Sequence, residues 1–194
     1  MFRRLDAVMN MRVEGGTSKA VALNNIRDSV VDFLKDFAHE QAFIDYFRTH
    51  WVTKVGALEK DLILGNALVD MYVKCGVLLE AQNAFDELTI RDVVSWTALI
   101  AGYAQQGQGK EALGCFQRML SENFSPNAIT YVCILRACGI MQDVDVGKQI
   151  HDEIVHQGLL KKNVVVGNAL IDMYAKCGVL LQAQQVFNEL SGMH

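Results

Sequence analysis

The 194-residue sequence has one proline, Pro126, and no long apolar run. Because proline lacks the N–H that a helix interior needs, its scarcity favours a mainly helical chain. A membrane-spanning helix requires about 20 consecutive apolar residues, and the sequence offers no such stretch. We therefore expect an all-α protein without a membrane partner.

Residue patterns that hold metals or perform catalysis are also missing. The five cysteines include no C-x-x-C pair, which favours reduced, packed thiols over a disulfide framework or a metal site. There is no P-loop and no G-x-S-x-G motif. The letters H-x-E occur at His151–Glu153, but a zinc-dependent deaminase also needs a later C-x-x-C. We expect no catalytic residues, no metal and no cofactor.

Positive charge is not in excess. The formal net charge is −4, and residues 62–194 carry 9 basic and 13 acidic side chains. Nucleic acids bind non-specifically to broadly basic surfaces, so this balance argues against blanket electrostatic binding. Binding through a local basic stripe and direct contacts to bases stays open.

An internal repeat dominates the rest of the chain. Residues 62–92 and 164–194 are identical at 18 of 31 aligned positions, without a gap. Both copies contain the pattern N-A-L-[VI]-D-M-Y-x-K-C-G. Self-similarity at a fixed offset is typical of arrays in which helix pairs stack on one another.

The interval between the two copies holds two further units. Apolar residues at spacings of three and four predict two helices in each unit. Residues 24–61 are predicted to form a helical hairpin that caps the array, and residues 1–23 a flexible terminus. The units are 62–92, 93–127, 128–163 and 164–194, with hinges near Gly76, Gly107–Gly109, Gln142–Asp143 and Gly178.

With unit lengths of 31, 35, 36 and 31, the chain resembles plant pentatricopeptide repeat proteins of the PLS subclass. In order, its units match a short, a standard, a long and a short motif. A C-terminal DYW deaminase domain, which some members carry, is not found. The resemblance rests on the shared pattern at 66–76 and 168–178, V-V-S-W-T-A-L-I-A-G-Y at 93–103, E-A-L at 111–113, S-P-N at 125–127 and G-K-Q-I-H at 147–151.

The resemblance implies an α-solenoid, a right-handed superhelix of helix-turn-helix repeats, that binds single-stranded RNA with one nucleotide per repeat. In this family the second residue of each repeat packs on a base, and the fifth and last residues read the edge of that base. The second residues are Ile63, Val94, Ile129 and Val165. The reading pairs are Asn66 with Asp92, Thr97 with Asn127, Val132 with Asn163, and Asn168 with His194.

Two of these pairs carry a base assignment in the family. Asn66 with Asp92 is associated with uridine and less with cytidine, and Thr97 with Asn127 is associated with adenosine. The expected RNA therefore contains 5′-UA and binds weakly to so few repeats. Val132 offers no hydrogen bond, and His194 departs from the usual Asp or Asn. The resemblance also implies a mitochondrial or chloroplast location, a role in RNA processing or editing, and editing cofactors or a deaminase-bearing partner.

Other interpretations of the same residues stay open. Asn66 and Asn168 are also typical of helix N-caps, and Asp92 and Asn127 of turns. A protein-binding scaffold of the tetratricopeptide kind uses similar hairpins, and the chain is alternatively a non-functional fragment of a longer array.

The last unit carries a separate expectation. Its second helix is predicted to leave Leu181, Val186 and Leu190 uncovered. Exposed apolar area of this kind marks an interface, so we expect self-association through this open repeat.

Overall fold

The computed structural model describes residues 62–192. The predicted segments 1–23 and 24–61 and the predicted reading residue His194 lie outside them. The chain divides into two compact units, which the structure describes over residues 62–91 and 92–192. Within residues 62–192 every regular element is a helix, and none has the length and apolar composition needed to cross a bilayer.

The first unit contains a helical hairpin, α1 (Leu62–Lys74) and α2 (Leu78–Glu87). The small side chain of Ala81 is fully buried, which allows α2 to approach α1 closely. Arg91 closes the end of α2, where carbonyl groups lack helical partners. Its guanidinium donates to the carbonyl oxygens of Phe85 at 3.1 Å and Asp86 at 2.7 Å.

Three further hairpins form the second unit. Its helices are α3 (Val93–Gln105), α4 (Gly109–Ser121), α5 (Ala128–Met141), α6 (Val144–His156), α7 (Leu159–Lys162), α8 (Val164–Lys176) and α9 (Leu180–Ser191). Helix α5 packs against α3 and α4 on one side and against α8 on the other, so α3, α5 and α8 form one layer. We call α1, α3, α5 and α8 the first helices, and α2, α4, α6 and α9 the second helices.

The turn inside each hairpin follows one pattern, and the predicted hinges are confirmed. A residue with left-handed backbone ends the first helix, with φ of 77° at Gly76, 77° at Gly107, 56° at Gln142 and 74° at Gly178. The following residue then donates its N–H to the carbonyl five residues earlier, as Val77 does to Tyr72 at 3.1 Å. Such bonds satisfy helix-terminal carbonyls, and glycine adopts this conformation at little cost.

Two features differ from the sequence-based expectation. The short helix α7 was not predicted, and it buries Leu160 after the left-handed Gly158. The prediction that α9 leaves Val186 uncovered is wrong, because Val186 is 1% exposed. Leu190 is partly covered and lies against α8, where a Cβ on Gly167 would come within 2.5 Å of its Cδ1. Leu181 is exposed as expected.

Candidate nucleic-acid interface

The second residue of each first helix is an exposed β-branched apolar side chain. Ile63, Val94, Ile129 and Val165 are 51%, 57%, 64% and 62% exposed. Single exposed apolar residues are common on protein surfaces. Packing of the hydrophobic core does not explain why an apolar side chain recurs at the same position of four helices, since these side chains bury little area. They are available to pack on a planar ligand group.

The residue before α3 and the residue before α5 are helix caps of the same geometry. The Asp92 carboxylate accepts from the Ser95 N–H at 2.9 Å, and the Ser95 hydroxyl accepts from the Asp92 N–H at 3.2 Å. Asn127 and Thr130 repeat both bonds at the same distances. Each pair is a capping box, in which two helix-terminal groups satisfy each other.

These caps differ in the chemistry that they present. A carboxylate only accepts hydrogen bonds, whereas an amide has one accepting oxygen and a donating nitrogen. The cap occupies the oxygen of Asn127, so its Nδ2 group points away from the helix end. No hydrogen-bond partner of that nitrogen lies among residues 62–192, and the side chain is exposed. Asn127 therefore offers a donor at the site where Asp92 offers an acceptor.

The fifth residues lie inside the first helices, and their exposure differs. Asn66 is half-buried and Asn168 is exposed, and their positions within α1 and α8 exclude the N-cap interpretation for both. Thr97 is only 8% exposed. Its Oγ1 lies 2.7 Å from the carbonyl oxygen of Val93 and 2.7 Å from Oγ1 of Thr130. The Thr97 hydroxyl thus faces Thr130 and not solvent.

The structure brings some of the predicted pairs together. Thr97 and Asn127 are joined through Thr130, whose Oγ1 lies 3.1 Å from the Asn127 Oδ1. Asn66 and Asp92 belong to different units. Val132 is half-buried. Asn163 also caps its helix, α8, but with a different geometry. Its Oδ1 accepts from the N–H of Val165, two residues later, at 3.0 Å, whereas Asp92 and Asn127 each accept from the residue three positions later.

Sequence reasoning missed Ser95 and Thr130. Both are fully buried polar residues, and both stand three residues after the last residue of the preceding repeat. The signal was present as D-x-x-S at 92–95 and N-x-x-T at 127–130. Because a capping box is usually written with Glu or Gln at its second position, Ser and Thr there are easily passed over.

Charge is unevenly divided between the two kinds of helix in the second unit. The first helices carry Arg136, Asp172 and Lys176, a net charge of +1. The second helices carry three basic and five acidic side chains, a net charge of −2. Lys176 is paired with Asp172 at 2.6 Å. Arg136 is exposed and has no ion pair among residues 62–192, so the first-helix face is the one suited to a polyanion.

His151, the histidine of the H-x-E letters, packs against a neighbouring helix of the second unit. His151 lies on α6, and its Nδ1 is 2.9 Å from the hydroxyl oxygen of Tyr174. Burial lowers the pKa of His151 and raises that of the Cys138 thiol to about 12, so both groups are held in their neutral forms. No group of three or more metal-ligating side chains occurs within the described part of the chain.

Comparison with known proteins gives consistent matches. A PPR repeat family model matches residues 91–139, and a PPR repeat model matches residues 66–93 and 168–193. In Arabidopsis thaliana, pentatricopeptide repeat-containing protein At2g13600 is 39% identical over 67% of this chain and 19% of its own length. The chloroplastic protein At4g18520 is 34% identical over 84% of this chain and 26% of its own length. The mitochondrial protein At3g13770 is 44% identical over 68% of this chain and 21% of its own length.

Solved structures show the same fold. The crystal structure of the pentatricopeptide repeat protein PPR10 from maize matches with a TM-score of 0.65 at 24% identity, over 98% of this chain and 27% of PPR10. PPR10 in complex with an 18-nt psaJ RNA element matches with a TM-score of 0.64 at 23% identity, over the same shares. The predicted α-solenoid fold of helix-turn-helix repeats is confirmed. The chain spans about a fifth to a quarter of the length of these relatives, and it belongs to the pentatricopeptide repeat family.

Proposed function

We propose that this chain binds single-stranded RNA through its first-helix face, with one nucleotide at each repeat. The observation that carries the proposal is the recurrence of an exposed β-branched residue beside a polar cap, as at Val94 with Asp92 and Ile129 with Asn127. Sequence-specific proteins that bind single strands stack unpaired bases on side chains and read their Watson–Crick edges with polar groups. The family membership and the RNA-bound PPR10 structure support the same conclusion.

Base preference follows from the donor and acceptor at the caps. The Asn127 amide donates, so it suits N1 of adenine, whereas guanine and uracil present an N–H at the corresponding place. The Asp92 carboxylate accepts, so it suits the N3–H of uracil. Leaving a buried polar group unpaired costs about 1–3 kcal/mol, which is the source of selectivity. A 5′-UA step is the proposed preference across the first two repeats.

The remaining predicted readers contribute unequally. The pairings of Asn66 with Asp92 for the first nucleotide and of Asn168 with His194 for the fourth are proposed from the family resemblance alone. Val132 and Asn163 give little selectivity, since the valine has no polar group and the asparagine caps α8 in a different geometry. Ile63 and Val165 pack on their bases as Val94 and Ile129 do.

The wider role is an organelle RNA-processing or RNA-editing specificity factor of the PLS type. Relatives named chloroplastic and mitochondrial support an organelle location. Because few repeats contact few nucleotides, editing cofactors or a deaminase-bearing partner are proposed to complete such a factor.

Selection from a randomised pool tests the proposal. The full chain is incubated with a pool of short single-stranded RNAs and, in parallel, with the corresponding DNA pool, and bound molecules are sequenced. RNA enriched in UA steps is the expected result. Recovery of no enriched RNA would overturn the proposal and favour a protein-binding scaffold.

A further inference from the structure

Thr130 connects Thr97 and Asn127, the pair that the family resemblance assigns to the second nucleotide. Its Oγ1 lies 2.7 Å from the Thr97 hydroxyl oxygen, 3.1 Å from the Asn127 Oδ1 and 3.2 Å from the Asn127 backbone nitrogen. Thr130 itself has no exposed surface. A buried hydroxyl with three partners is held in one position, and it holds those partners in turn.

The hydrogen atoms of this cluster can be assigned. The Thr97 hydroxyl lies 2.7 Å from the Val93 carbonyl, which only accepts. When Thr97 donates there, the Thr130 hydroxyl donates to Thr97 or to the Asn127 Oδ1, and it accepts from the Asn127 N–H. All groups are then satisfied. Rotating the Asn127 amide by half a turn would place its NH₂ group against the Thr130 N–H, so the donor is kept on the outer side.

The chain contains its own comparison at the next repeat. The residue equivalent to Thr130 is Val166, which lacks a hydroxyl, and the residue equivalent to Thr97 is Val132. There the last residue, Asn163, has ψ of 99°, against 177° at Asn127 and −178° at Asp92. Where the hydroxyl is present the cap residue adopts one conformation, and where it is missing the cap residue adopts another.

We infer that Thr130 is a positioning residue for base recognition: its hydroxyl orients the Asn127 amide and couples it to Thr97. The third residue of a repeat thus determines how the last residue of the preceding repeat meets its base, and Ser95 does the same for Asp92. This inference rests on the proposed RNA-binding function and adds a specificity residue to it.

Substitutions at Thr130 distinguish the effect of its hydroxyl group from the effect of its side-chain volume. Thr130→Val removes the hydroxyl at nearly constant shape, and Thr130→Ser keeps it. The full chain is titrated with four short RNAs that have U at the first nucleotide and A, C, G or U at the second. The ratio of the Kd values for G and A is measured by fluorescence anisotropy. We expect a ratio of roughly tenfold for the wild type. Thr130→Ser should retain this ratio. Thr130→Val should reduce the ratio to below about threefold, because the Asn127 amide loses the hydroxyl that orients it.

The double variant Thr97→Val/Thr130→Val guards against a folding artefact. Replacing both partners of a buried hydrogen bond by apolar groups of the same shape is nearly neutral for stability, and valines already occupy the equivalent positions 132 and 166. This variant should stay folded, with only a modest loss of stability because the Asn127 N–H loses its acceptor, and it should show the low ratio. The reverse change, Val166→Thr, should increase base discrimination at the third nucleotide by bringing Asn163 into the capping box.

The outcomes distinguish this inference from the proposed function. If the wild type discriminates and both valine variants discriminate equally, Thr130 has no positioning role and the RNA-binding proposal stands. If Thr130→Ser behaves like Thr130→Val, the hydroxyl is not the active feature, and the inference is also overturned. If the wild type binds no RNA or ignores the second base, base reading itself fails and this inference fails with it.

Discussion

His151 of α6 and Tyr174 of α8 are joined by a hydrogen bond of 2.9 Å between Nδ1 and the hydroxyl oxygen. The two rings meet edge to face at 5.6 Å. The second ring nitrogen, Nε2, is buried and has no hydrogen-bond partner among residues 62–192. A neutral imidazole tolerates this arrangement, whereas an imidazolium would bury an unpaired N–H.

Stability should therefore fall in mild acid. Burial lowers the pKa of His151, while the carboxylates of Glu189 and Asp152 oppose this more weakly. Below the ordinary histidine value of about 6.5 the unfolded chain binds a proton that the folded chain resists, so the free energy of unfolding decreases as pH falls through that value. Urea unfolding of the wild type and His151→Gln at pH 7.5 and 5.5 measures the effect.

The variant is expected to lose part of this pH dependence. His156→Gln, which changes an exposed histidine of the same helix, serves as the matched control and should behave like the wild type. Equal pH dependence in all three proteins would show that His151 does not carry the effect.

Gln142 offers a test of the hinge geometry. It is a left-handed residue at a place where the other hairpins have glycine, and side chains in this region cost about 1 kcal/mol. Gln142→Gly is expected to raise the free energy of unfolding by up to about 0.5 kcal/mol, because relief of this cost exceeds the conformational entropy that glycine adds to the unfolded chain. Gly107→Ala, which meets no atom within 4 Å, should lower it by a similar amount. Opposite signs in thermal or urea unfolding are the expected outcome.

Much of the fold was predictable because its determinants are local. The copies at 62–92 and 164–194 revealed the repeat, and glycines at 76, 107 and 178 placed the hinges. Burial of individual residues in the last helix was harder to predict, because helical periodicity shows that one face is apolar but not which neighbouring helix covers that face. Val186 was placed on the wrong side for that reason. Helix α7 escaped because four residues are too few to show any periodicity.

Arg136 should contribute a salt-dependent contact to RNA. It lies in the C-terminal half of α5, where the helix dipole disfavours a phosphate unless a cation is present. Arg136→Ala is expected to reduce the slope of log K against log salt by about 0.7, the value for one phosphate contact to a single strand. Lys148→Ala, on the second helix α6, should leave the slope unchanged. A slope that does not respond to Arg136→Ala would remove this contact from the account.

Self-association is expected through α9. Leu180, Leu181 and Phe187 are 67%, 71% and 54% exposed on this helix, and clustered apolar surface of this kind favours contact with a second copy. The mass measured by light scattering should rise with concentration for the wild type. Leu181→Glu should keep the protein monomeric, whereas Leu120→Glu, at an exposed leucine of α4, should not. A monomeric wild type at high concentration contradicts the prediction.

The repeat pattern gives the positions of the candidate site residues but not the hydrogen bonds that connect them. The pattern placed Thr97 and Asn127 as a reading pair, yet it gave no indication that Thr97 is buried. That burial depends on Thr130, which lies 33 residues along the chain and on the next first helix. A hydrogen bond between two side chains of neighbouring repeats leaves no periodic signal, so only the packed structure reveals it.

The most direct test of the central claim exchanges the donor at Asn127 for an acceptor. Asn127→Asp keeps the shape and the oxygen that caps α5, so the fold should be retained. Affinities of the wild type and the variant are measured for four RNAs that differ only in the second nucleotide. The wild type should prefer adenosine, and the variant should shift its preference toward guanosine and uridine, which both present an N–H to the carboxylate. If the variant keeps the preference of the wild type, or if neither protein distinguishes the four RNAs, the base-reading account is contradicted.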